Sequence, residues 1–158
     1  MVNRRVLKQG GFSMMEVLIV MTIALVLLGM AVPVIQNNDS VSSDVRRLVG
    51  DITRGRSWAR TTWRTTTIDI DAGNRRWRIE DESGEVITTS DSDANGWRTL
   101  REGTNFLANG QFPVDFVFQA DGRCPERSSV LLQGGDSTWV VSCSPLSGTV
   151  TAEPVEAE

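Results

Sequence analysis

From Val17 to Asn38 the chain carries no charged side chain, yet Glu16 places one carboxylate at the entrance to this apolar run. As a helix, Val17 to Ile35 would measure roughly 28 Å at about 1.5 Å per residue, close to the hydrocarbon thickness of a bilayer. A cleaved secretory signal is excluded, because its apolar region is only about 7 to 15 residues and ends at a small-x-small site. Arg4, Arg5 and Lys8 precede the run with no acid among them. By the positive-inside rule that end stays in the cytoplasm and residues 39 onward lie outside.

An ordinary anchor accounts for the length but not for Glu16. A carboxylate at the membrane edge costs up to a few kcal/mol and calls for a partner, and the run supplies no basic side chain. A free α-amino group would serve if the chain were cut just before Phe12, from four residues upstream or from a neighbouring chain. Gly11 then has a use: without a side chain, it lets a protease approach the backbone closely.

These residues carry a resemblance. Gly11-Phe12-Ser13-Met14-Met15-Glu16 resembles the G-F-T-L-x-E cleavage and methylation signal of type IV prepilins and type II secretion pseudopilins, with the short basic leader that precedes it there. Ser13 and Met14 depart mildly from the commonest Thr-Leu. The resemblance implies that residues 1–11 are a leader removed by prepilin peptidase, that Phe12 becomes the N-methylated terminus, and that Glu16 acts in assembly. It also implies a helix over residues 12–36, spanning the inner membrane before it enters a filament core. Pro33 and Gly29 are expected to kink or loosen that helix.

After Asn37-Asn38-Asp39-Ser40 an amphipathic pattern resumes, with Val41, Val45, Leu48, Ile52 and Ala59 near helical spacing and charged residues between them. The expectation is one long rod whose outer part, residues 37–62, packs a single stripe on a globular domain. From Thr61 β-branched residues take over. "TTTIDID", "RWRIED", "EVITTS", "VDFVFQADG", "SSVLLQGGDSTWVVSCS" and "SGTVTA" read as short strands separated by turn signals. The fold class is therefore α+β: a long amino-terminal helix packed on an antiparallel β domain, residues 63–152, ending in an acidic tail, residues 153–158. Trp58, Trp63, Trp77, Trp97 and Trp139 are read as core and strand-packing residues.

Feature order after the helix resembles the minor pseudopilin H and FimT-type branch. "FVFQADGR" is similar to its F-x-P-x-G segment, and "STWVVSCSPLSGTV" to its closing strand pair. DNA-binding members of that branch end in Gly-Arg-x-Arg, whereas this chain has Gly148-Thr149-Val150-Thr151 followed by an acidic tail. Phosphate attraction would be replaced by repulsion, so no nucleic-acid partner is expected.

The remaining chemistry is sparse. The net charge is −4 and there is no histidine, which removes the commonest general base and metal ligand and argues against an enzyme. Cys124 and Cys143 suit a disulfide in an oxidising compartment, with two buried free thiols as the alternative. "DSDANGWRTLRE" fits the calcium-loop expression, with Asp91, Asp93, Asn95, Trp97 and Glu102 as ligand positions and Gly96 at the turn. No helical pattern flanks it, and the alternative is a polar loop leading into the strand "WRTL". No other cofactor is expected. The resemblance implies a minor pseudopilin of a type II secretion system, or a minor pilin of a type IV pilus, with other pilin-like subunits as partners and its domain in the periplasm.

Overall fold

The structure, a computed structural model, describes residues 13–36, 40–107 and 115–155, with side chains of the first segment described through Val26. The chain divides into two compact units, residues 1–38 and 39–158.

The first unit is built on α1, Met14–Gln36. Its described apolar side chains, among them Met14, Leu18, Met21 and Leu25, are exposed on every side, the pattern of a helix made for an apolar environment rather than for water. Thr22 donates its hydroxyl to the Leu18 carbonyl at 2.6 Å, keeping that polar group satisfied within the helix. Gly29 and Pro33 fall within α1, but the expected kink concerns side chains outside the described residues. Among the described residues no helix is long and apolar enough to cross a membrane; the expected crossing extends beyond Val26, the last of these side chains described. The expected junction of one continuous rod, residues 37–39, also lies outside the described residues.

The second unit opens with α2, Ser40–Thr62, which buries Val41, Val45, Leu48, Ile52, Gly55 and Ala59 along one stripe. Gly55 marks a close approach: a Cβ there would meet Ile68 Cδ1 at 2.9 Å, so a larger residue would require the Ile68 side chain to shift. Against this stripe lie two antiparallel four-stranded sheets rather than a single one. The first runs β3-β2-β1-β5, with β1 Thr66–Asp71, β2 Arg76–Asp81, β3 Arg98–Thr99 and β5 Phe116–Phe118. The second runs β4-β6-β7-β8, with β4 Thr104–Leu107, β6 Ser128–Gly134, β7 Ser137–Cys143 and β8 Val150–Val155. Inward residues alternate as the pleat demands: Ile68 and Ile70 on β1, Trp77 and Ile79 on β2, Val130 and Leu132 on β6.

Three local expectations change. "EVITTS" is not a strand, because Asp81 gathers the Ser83 and Glu85 amides, both at 2.9 Å, into a tight turn. Only a single bridge, Glu80 to Val86, survives from the expected hairpin, and β3 pairs with β2 at Arg76 and Trp77 instead. Strand β4 is too short for its alternation to stand out in the sequence. Finally, β8 continues to Val155, so Glu153 is a strand residue paired opposite Val140 rather than part of a tail.

Candidate processing and assembly site

Gly11 and Phe12 lie outside the described residues; the site is described from Ser13. Ser13 caps α1: its carbonyl accepts the Glu16 and Val17 amides at 2.9 and 3.2 Å, and its hydroxyl accepts the Met15 amide at 3.3 Å. Ser13 to Glu16 thus has the S-x-x-E spacing of a capping box, a signal that could have been read from the sequence and that gives Ser13 a role there. Glu16 is exposed at the third position of the helix, where a negative charge interacts favourably with the helix dipole. Its carboxylate has no hydrogen-bond or ionic partner among the described residues.

The candidate calcium ligands are not drawn into one shell. Asp91 is engaged by Arg98 at 2.7 Å, which holds its carboxyl below the usual carboxylate range. Asp93 closes its own loop, accepting the Asn95 and Trp97 amides at 2.9 and 2.8 Å, while Glu102 is exposed. Among the described residues no three acidic or cysteine side chains converge as a metal site would require. Arg98 explains the arrangement, since it also bonds buried Asp51, and Asp51 in turn accepts the Trp77 indole N–H at 2.8 Å. What fits a calcium expression in sequence is a loop pinned to α2 through an arginine.

Cys124 and Cys143 are brought together as free, buried thiols. Burial first, and then the neighbouring Cys124, push the Cys143 thiol up to about 12. Cys124 borders a cavity of about 180 Å³ together with Asp115, Pro125 and Ser128.

The two segments that carry the branch resemblance also meet. Arg56 Nε donates to the Gly122 carbonyl at 3.0 Å and its Nη2 to the Ser147 carbonyl at 2.7 Å. Gly148, at φ 65°, packs so tightly that a Cβ would overlap the Gly122 carbonyl oxygen. Glycine at 148 is thus a packing requirement, independent of any nucleic-acid contact. The tryptophans divide: Trp77 is fully buried, whereas Trp63 is 76 % exposed, which corrects its reading as a core residue.

Residues 7–32 match the model of the prokaryotic N-terminal methylation motif. Two solved structures of the minor pseudopilin EpsH from the type 2 secretion system of Vibrio cholerae are similar in fold. One has a TM-score of 0.55 at 14 % identity over 73 % of this chain and 98 % of that one. The other has 0.52 at 14 % over 76 % and 98 %. No curated protein matches the chain.

Proposed function

This chain joins the prepilin-type methylation motif to a minor-pseudopilin fold, the two marks of the type IV pilin and type II secretion pseudopilin superfamily, and from that premise we propose that it is a minor pseudopilin of a type II secretion system. Proteins of this superfamily are structural subunits, not enzymes. In this reading prepilin peptidase cuts between Gly11 and Phe12 and methylates Phe12. The α1 helix is held in the inner membrane with the β domain in the periplasm, then joins the tip or initiation complex of a short filament beside other pilin-like subunits. The observation that carries the reading is the coincidence, in one chain, of this motif with a domain whose relatives in fold include EpsH.

Assembly follows from the charges. A new ammonium at Phe12 would sit beside the positive end of the α1 dipole, an unfavourable neighbour in an apolar bundle. Glu16, capped into position by Ser13 and otherwise unpartnered, would neutralise that ammonium on its own or an adjacent subunit, so a subunit in the wrong register leaves a buried charge unpaired. A head-to-tail contact between apolar helices whose rotation does not close would propagate as a filament. Within the domain, the adjacent thiols would form a Cys124–Cys143 disulfide in the periplasm. The test is Glu16→Ala in the full chain: cleavage by the peptidase is retained and cross-linking to neighbouring subunits is lost. Normal cross-linking of the variant would remove the role of Glu16. Loss of secretion rather than of pilus-dependent motility on deleting the gene separates this reading from a minor pilin of a type IV pilus.

A further inference from the structure

The carboxyl end of α2 presents an open cleft of about 430 Å³, lined by Ser57, Arg60, Thr61, Trp63, Ala120 and Asp121. That volume lies in the range of ligand pockets. Three observations converge on it. Trp63 is the left-handed residue that ends the helix, at φ 57°, with the Arg64 amide returning to the Ala59 carbonyl at 3.3 Å. Glycine occupies such a position without strain, and a bulky residue does so at a cost. The strained tryptophan is also 76 % exposed, so burial does not compensate for its backbone.

Arg60 is the second observation. Its aliphatic stem lies over Gly122, where a Cβ would collide with it at 2.7 Å from Cγ. Its guanidinium has neither an ion pair nor a hydrogen bond among the described residues. The third is charge. Toward its carboxyl end the exposed face of α2 bears Arg54 and Arg60, while both acids of the helix, Asp44 and Asp51, are buried inward. The opposite wall is fixed by its own turn, with the Gly122 amide on the Gln119 carbonyl at 2.7 Å, and the charge of Asp121 is answered by Arg123 at 3.2 Å.

We propose that this cleft docks an acidic segment of a partner polypeptide, with Trp63 as the apolar platform and Arg60 as the carboxylate contact. An aromatic face beside a free guanidinium suits a peptide that alternates apolar and acidic side chains. A nucleic acid fits less well, because phosphate binding draws on a row of basic contacts and the cleft lining supplies one, Arg60. All the lining residues belong to the 39–158 unit.

The test uses the isolated 39–158 unit, which contains all the buried hydrophobic core of the described residues. The probe is a fluorescent peptide of alternating glutamate and leucine, compared with its glutamine counterpart and with a single-stranded oligonucleotide. Saturable binding of the glutamate peptide, weakened about tenfold by Arg60→Ala and by Trp63→Gly but unchanged by Arg46→Ala, supports the proposal. So does a thermal midpoint that stays level or rises in Trp63→Gly, because a purely structural tryptophan would lower it. Absence of saturable binding, equal binding of the glutamine peptide, a lowered midpoint with intact binding in Trp63→Gly, or tighter binding of the oligonucleotide would each overturn it.

Discussion

Asp51 does more to hold the second unit together than its place on an amphipathic helix suggests. It is buried and joined at once to the Trp77 indole and to Arg98, so its removal strands a buried donor and leaves a largely buried cation with Asp91 as its remaining ion pair. Asp51→Ala should cost about 3 kcal/mol, the lower end of the range for breaking a buried pair, measured by urea unfolding of the 39–158 unit; a loss below about 1 kcal/mol would mean that the network is incidental. Asp81 gives a pH signature. Hydrogen bonds from Ser83 foremost, then from the Glu85 amide and Arg64, lower its carboxyl to about 2. Its contribution is therefore complete above the unfolded carboxylate value of about 3.9 and is lost as pH falls from there toward about 2. Asp81→Asn should flatten the acid limb of the stability profile in that window; an unchanged limb would assign acid unfolding to other groups.

At the scale of elements, α2 was legible in the sequence because its buried stripe repeats at helical spacing and ends where β-branched residues begin at Thr61 and Thr62. The β6–β7 hairpin was equally plain, with Gly134 and Gly135 turning two apolar runs. What escaped the sequence depends on single side chains reaching across the chain. Asp81 turns an expected strand aside, and Arg98 takes up the carboxylate that suggested calcium. The αL conformation that exposes Trp63 likewise leaves no mark on periodicity. At the candidate processing site, the Ser13 to Glu16 spacing was present to be read; a partner that Glu16 would meet in a filament is not, since it would come from a chain end or another chain. The cysteines test the link between β7 and the loop before β6. Both sulfurs are buried, and Cys143, raised by that burial, forms little thiolate. Protein extracted from membranes without reductant should show the Cys124–Cys143 cross-link by peptide mapping, and reduction should lower stability by about 3 kcal/mol. Two free thiols in that extract would remove the disulfide from the account.

Across the whole molecule, the two units divide the work by solvent. The 39–158 unit encloses its core between α2 and two sheets and can face water. The described part of α1 turns apolar side chains outward on every side and needs a bilayer or other helices around it. In the proposed reading processing would connect the two environments, because removal of the basic leader would give Glu16 an ammonium to meet. The measurement closest to this claim is intact mass, with amino-terminal peptide sequencing, of the full chain extracted from membranes of cells that hold prepilin peptidase. A chain that begins at Phe12, shorter by residues 1–11 and heavier by one methyl group at its amino terminus, is the result predicted. A chain that retains Arg4, Arg5 and Lys8 ahead of an uncut Gly11–Phe12 bond would contradict it.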